Sequence, residues 1–306
     1  MIERTPILDV VTHAVLLVAL VLTGLPVVVV LIGSTLSVEQ LNSFPMPLLP
    51  GSRLAENMAA AWSKGDLGTR LMTSAIVALG ITGGKILVSI LSAFAIVYFD
   101  FRFKTLVFWL IFVSLMLPVE VRIVPTFEVV ANALAPAIWI FDALHLGDLV
   151  GLFTGTPARL DVKVNLLNSY TGLILPLVAS ATGTFLFRQF FMTIPRELAE
   201  AARIDGASPM RFFRDMMLPL SRTNIAALAV ILFLYGWNQY LWPLLMTTDA
   251  AYHTAVLGVS KLLPGGDGRP EWNVAMAGAV IVMIPPIAVV IALQRLFVKG
   301  LVEADK

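Results

Sequence analysis

Residues 197–219 read ELAEAARIDGASPMRFFRDMMLP, a polar, arginine-rich island between two hydrophobic stretches that carry almost no charge. In a membrane chain such an island has to lie in water, so it marks where the chain leaves the bilayer. Its local chemistry describes two short helices joined by an elbow. Pro195 suits a first helical turn, where its missing N–H is not needed. Glu197 and Glu200 follow in early turns, where the helix dipole favours acids, and Arg203 comes later. Ala199, Ala201 and Ala202 are strong helix formers. Gly206 fits the left-handed position that closes a helix. Ser208-Pro209 is an N-cap followed by proline, and opens a second helix carrying Phe212, Phe213, Met216 and Met217. Leu218-Pro219 then returns the chain towards the membrane. On these grounds the island is either an ordinary amphipathic loop or a docking elbow whose alanines let another protein's surface come close.

The chain around it has 306 residues, 58% hydrophobic and only 13% charged, with mean hydropathy +0.88. Soluble domains carry about 25% charged residues, so this is an integral membrane protein. The lack of cysteine excludes disulfides, thiolate catalysis and cysteine-based metal sites. His13, His145 and His253 have no metal-ligand spacing, and a net charge of +1 argues against nucleic acid as a partner. With intramembrane carboxylates nearly absent as well, an intramembrane hydrolase or transferase lacks its acid, base or metal cluster. The apolar run from Val10 to Ile32 is long enough to span rather than to be cut away as a leader.

A bilayer core of about 30 Å needs roughly 20 apolar residues per helix, and helices satisfy their own backbone there. Six stretches qualify, at about 10–33, 72–98, 105–127, 171–192, 223–247 and 273–296. The expected fold is therefore an all-α membrane domain of six transmembrane helices over residues 1–306, with the island in a cytoplasmic loop, 193–222. With the N-terminus inside, the cytoplasmic side holds Arg4, Arg102, Lys104, Arg188, Arg196, Arg203, Arg211, Arg214, Arg222, Arg295, Lys299 and Lys306. The outer side holds Arg53, Lys64, Arg70, Arg159, Lys163, Lys261 and Arg269, so the positive-inside rule puts both termini in the cytoplasm. Residues 135–153 are hydrophobic enough to tempt a seventh span. Asp142, His145 and Asp148 fall at helical spacing there, and the segment is read as one amphipathic helix on the outer membrane surface or against neighbouring helices.

Glu200-Ala201-Ala202, three residues, Gly206, nine residues, Met216, one residue, Leu218-Pro219 resembles the EAA loop of the membrane subunits of bacterial ABC importers. Met216 stands where that pattern has isoleucine. The resemblance implies that the loop forms a coupling helix seated in a cytoplasmic ATPase, with Glu197, Glu200, Ala201, Ala202, Asp205, Gly206, Leu218 and Pro219 as the coupling residues. It implies half of a heterodimeric pore in the bacterial inner membrane, completed by a second permease subunit. It also implies two ATPase copies that bind the ATP and magnesium, a periplasmic substrate-binding protein, and no cofactor on this chain, which has no GxxxxGKS/T phosphate loop. The stretches 91–101 (LSAFAIVYFDF), 115–129 (LMLPVEVRIVPTFEV), 181–195 (ATGTFLFRQFFMTIP) and 235–245 (YGWNQYLWPLL) resemble permeases of the carbohydrate-uptake, maltose-type family, whose general outline covers the first, third and fourth. Within that family the Glu120/Arg122 pair looks like the smaller permeases of sn-glycerol-3-phosphate importers. The implied cargo is sn-glycerol-3-phosphate or a glycerophosphodiester, with a neutral di- or oligosaccharide as the alternative. Residues of about 133–165 look like an insertion.

Ionisable groups within spans usually face a pathway or a partner. Glu120 and Arg122 lie between Pro118 and Pro125, which are expected to break helical bonding along a cavity. Arg122 has the donor fork for a phosphate, and a structural ion pair with Glu120 is the other reading. Lys85, after Gly83-Gly84, pairs with Glu120, faces the partner subunit or faces the cargo. Trp237, Asn238, Gln239 and Tyr240 combine amides with rings that suit polyol hydroxyls, while interhelical hydrogen bonding is the alternative for the two amides. Pro285-Pro286 reads as a kink.

Overall fold

A computed structural model describes residues 6–114, 119–156, 159–160, 162–263 and 270–303, and the described residues contain helices and turns but no strand. The helices are α1 (Pro6–Gly33), α2 (Val38–Leu41), α3 (Leu54–Lys64), α4 (Leu67–Tyr98), α5 (Lys104–Val113) and α6 (Val119–Ala131). They continue as α7 (Ala135–Ala143), α8 (Leu146–Thr154), α9 (Tyr170–Ile174), α10 (Ala181–Thr193), α11 (Arg196–Ile204) and α12 (Pro209–Phe212). The last are α13 (Leu218–Leu220), α14 (Arg222–Trp237), α15 (Leu241–Met246), α16 (Ala255–Ser260) and α17 (Trp272–Glu303). Three helices are long and apolar enough to cross a membrane: Ile7–Gly33, Leu67–Tyr98 and Trp272–Gln294. Counting each bent helix pair as one span raises this to six.

The chain forms two compact units, one of residues up to Leu71 with Ala255–Pro285, the other of Met72–Thr254 and residues from Pro286 on. In the first unit, none of the apolar window of α1 is buried within the chain. A helix that is apolar all round with nothing packed on it needs lipid or another subunit as its solvent. Asn57 is the polar centre of this unit, with 5% of its surface exposed. Its amide donates to the carbonyls of Ser34 and Leu36 at 2.8 and 2.9 Å, and its Oδ1 accepts from Asn273 at 2.8 Å. Lys64 and Glu271 form an ion pair in the same unit.

The second unit is built on α4. Ile90, Phe94, Phe187, Phe191, Phe212, Phe213, Met217, Leu228 and Leu232 bury one another in a single cluster. Of the adjacent pair Gly83-Gly84 in α4, only Gly84 marks a close approach. A Cβ there would lie 2.6 Å from Val178 Cγ2, whereas Gly83 has open space. Val178 belongs to a break: Tyr170–Leu177 and Ala181–Thr193 are bent by 47°, so the stretch expected at 171–192 is two helical pieces. Ser180 caps the second piece by accepting from Gly183 N–H at 3.2 Å.

Other expected spans also differ. The stretch 105–127 is divided between α5 and α6, and Leu117-Pro118 lie outside the described residues. Pro125 does not break α6, which runs through it; the Thr126 hydroxyl bonds the Arg122 carbonyl at 2.6 Å. The stretch 223–247 is interrupted between α14 and α15, and Pro285-Pro286 lie inside a continuous α17. One missing N–H costs a long helix one bond, and packing at the flanks holds it.

Residues 135–153 are not one amphipathic helix. They form α7 and α8, separated at His145, whose backbone is left-handed with φ 51°. That reversal ends the helical spacing of Asp142, His145 and Asp148, although His145 Nδ1 remains 3.3 Å from Asp148 Oδ2. The two ends of this segment are joined by two backbone bonds of 2.8 Å, Ala133 N–H to the Val164 carbonyl and Leu166 N–H to the Val130 carbonyl.

Candidate functional site

The island folds as an elbow. Pro195 takes the N-cap of α11, one residue before the expected first turn. The helix closes with two nested bonds, Gly206 N–H to the Arg203 carbonyl at 3.1 Å and Ala207 N–H to the Ala202 carbonyl at 2.9 Å. This is the six-to-one closure that needs a left-handed residue, and Gly206 supplies it at φ 71°. Ser208 Oγ then caps α12 by accepting from Arg211 N–H at 3.3 Å.

Beyond Phe212 the helix widens to a π turn over Phe213–Met217, and Leu218 N–H reaches back to the Phe213 carbonyl. Pro219 has no N–H for residue 215, and the wider turn moves the hydrogen-bond register around it. Ser221, fully buried, donates its hydroxyl to the Met217 carbonyl at 2.6 Å, where Pro209–Leu220 and Arg222–Trp237 meet at 72°. On the outer face, hydrogen bonding from Arg214 at 2.7 Å holds the Asp215 carboxyl below the usual range.

The alanines of α11 divide between two faces. Ala202 is 7% exposed and belongs to the aromatic cluster, with Ala199 packed against it. Glu197, Glu200, Ala201 and Asp205 are exposed, as are Leu218 and Pro219, and Ile204 is 86% exposed. The expectation that the small residues as a set admit a partner's surface is therefore corrected. Residues 199 and 202 lie one turn apart on the face turned to the chain's own helices. Ala201 and Ile204 form the outward apolar face.

Within the helical bundle, Arg122 and Lys85 line one cavity of about 50 Å³, together with Ile123, Thr126, Tyr235, Trp242 and the break residues Pro176, Leu177 and Ala179. Lys85 is 8% exposed, and its ammonium lies 4.4 Å from the centre of the Tyr235 ring. The Trp242 indole donates to the Leu173 carbonyl at 3.2 Å, so its ring face, not its N–H, serves as wall. Glu120 lies on α6, but its side chain is outside the described residues, and so are both pairings expected for it.

Trp237, Asn238, Gln239 and Tyr240 do not line this cavity. Trp237 is 2% exposed and stacked on Phe233 at 5.5 Å. Asn238 is the exposed C-cap of α14, Tyr240 is exposed, and the Gln239 amide donates to the Tyr235 carbonyl at 3.0 Å. The four residues form the end of α14 and the turn that follows it. The sequence reading passed over Tyr235, one turn before Gln239, and left Trp242 without a role. Among the described residues no group of three or more His, Cys, Asp or Glu is placed to hold a metal ion.

Residues 85–303 match the family model for the binding-protein-dependent transport system inner membrane component. The chain belongs to this family. It is 50% identical over 312 residues to the sn-glycerol-3-phosphate transport system permease protein UgpE of Pectobacterium atrosepticum, covering 100% of both chains. The same-named proteins of Salmonella typhi and Escherichia coli O1:K1 are 48% and 47% identical, again over 100% of both chains. Among solved structures, a bacterial ABC transporter involved in import of the acidic polysaccharide alginate superposes with a TM-score of 0.72. The match covers 96% of this chain and 99% of that one, at 15% identity. The chain is thus an all-helical permease subunit of an ABC importer, a multi-pass component of the inner membrane and not an enzyme. Family membership implies that it works with a second permease, an ATPase and a substrate-binding protein.

Proposed function

We propose that this chain is one half of the pore of an ATP-driven importer for sn-glycerol-3-phosphate or glycerophosphodiesters. The end-to-end identity of 47–50% with sn-glycerol-3-phosphate permeases carries this reading. In it, six spans cross the membrane with both termini cytoplasmic, and residues of about 133–165 lie on the outer side. A second, different permease subunit completes the pore, two ATPase copies bind ATP and magnesium, and a periplasmic protein delivers the cargo. This chain holds no cofactor of its own.

The loop 193–222 is the coupling element. Closure of the ATPases pushes on the outward face of α11, formed by Glu197, Glu200, Ala201, Ile204 and Asp205. The inward face, through Ala202, Phe212, Phe213 and Met217, passes that push to α4 and α14. What supports this is the continuity of one buried cluster from the elbow to those helices. A packed cluster transmits displacement because it has no free volume to absorb it.

The test is reconstitution of the complete importer in proteoliposomes, with ATP inside and loaded binding protein outside. Uptake of labelled sn-glycerol-3-phosphate that stops without ATP is expected. Uptake of a neutral disaccharide in its place would overturn the cargo assignment.

A further inference from the structure

We propose that Lys85 and Arg122 form a two-cation phosphate subsite that favours a doubly charged phosphomonoester over a singly charged phosphodiester. This rests on the cargo reading above and goes beyond it by naming the charge state that this half of the pore selects.

Lys85 lies far from either end of α4, a helix of 32 residues, and is 92% buried. Neither it nor Arg122 has a carboxylate partner among the described residues. Burying the Lys85 ammonium beside a second cation is costly, and the face of the Tyr235 ring at 4.4 Å offsets only part of that cost. Both cations line the same cavity, where they repel each other unless an anion lies between them. The helix break borders the same cavity. Ala179 lines the cavity just ahead of α10, a 13-residue helix whose N-terminal end carries the positive pole of its dipole. Half-helix ends of this kind face anionic cargo in transporters. Gly84 fixes the arrangement, because its close approach to Val178 sets the break beside Lys85.

A phosphomonoester carries about −1.5 to −2 charges at neutral pH, while a diester carries one. Two cations on one cavity match the former. Trp242 and Leu177 offer apolar wall to the glycerol carbons.

The experiment uses the complete importer in proteoliposomes and compares ATP-driven uptake of sn-glycerol-3-phosphate with that of its methyl phosphodiester. Lys85→Met and Arg122→Gln are each expected to lower monoester uptake by about tenfold to a hundredfold, the range for losing a charged hydrogen bond. Diester uptake should fall far less, and Lys85→Arg should restore most of the monoester rate. An unchanged monoester-to-diester ratio in Lys85→Met, with a working wild type, overturns the subsite alone. Equal loss of both esters without rescue by arginine overturns it as well. A wild-type importer that moves neither ester but takes up a neutral sugar overturns the cargo reading and the subsite together.

Discussion

The rings of Phe94 on α4 and Phe213 in the π turn lie 4.9 Å apart, and this contact ties the elbow to the helix on which its unit is built. Phe212 adds an edge-on contact with Tyr98 at 5.3 Å. The elbow is thus anchored by aromatic packing, with its charged residues left outward.

Phe213 is therefore where stability and coupling meet. Phe213→Ala should destabilise the subunit by about 3–5 kcal/mol, the usual loss for a buried phenylalanine. Phe213→Leu should cost less. Thermal unfolding of the purified importer measures the first effect, and stimulation of its ATPase by loaded binding protein measures coupling. Undiminished stimulation in Phe213→Ala would separate the cluster from force transmission.

Gly206 is constrained by its backbone rather than by its neighbours. No atom lies within 4 Å of where a Cβ would be, but φ is 71°. Substitution should then follow left-handed preference: asparagine tolerated, alanine costing about 1–2 kcal/mol and valine more. The observable is uptake rate across Gly206→Asn, Gly206→Ala and Gly206→Val. A valine variant at wild-type activity would remove the helix-closing role.

Asn57 closes the polar centre of the first unit through both ends of its amide. Asn57→Ala would strand two buried carbonyls and the Asn273 amide, at about 1–3 kcal/mol for each group left unsatisfied. Asn57→Asp keeps the acceptor but loses the donor, and should be nearly as harmful. Melting temperatures of the three proteins in detergent check this; equal values would show that water reaches the site freely.

The segment between Ala133 and Val164 has its own closure. Because paired bonds at Ala133/Val164 and Val130/Leu166 seal its base, exchanging residues 135–162 for a short Gly/Ser turn should leave the rest of the unit folded. The expected result is an unchanged melting temperature and ATPase stimulation. A collapse in expression or melting temperature would mean that α7 and α8 pack on something essential.

Local chemistry was legible where it depends on neighbours in the chain. The Ser208-Pro209 cap, the Gly206 closure and the helical nature of the apolar stretches all follow from backbone rules within a few residues. Break points were less legible. Pro125 and Pro285-Pro286 sit inside continuous helices, whereas the interruptions occur near Ala179 and Asn238. A proline removes one bond, and the surrounding packing decides whether the helix bends there.

By itself, then, the sequence determined the membrane solvent, the helical class and the spacing of the island, since hydropathy and turn chemistry are local quantities. Only the tertiary structure decided that Ala202 faces inward while Ala201 faces out. It alone brought Lys85 to the cavity of Arg122 and turned Trp237 into packing. Those outcomes depend on which helices meet, and side chains 37 residues apart in the chain share a cavity only after α4, α6 and α14 have packed.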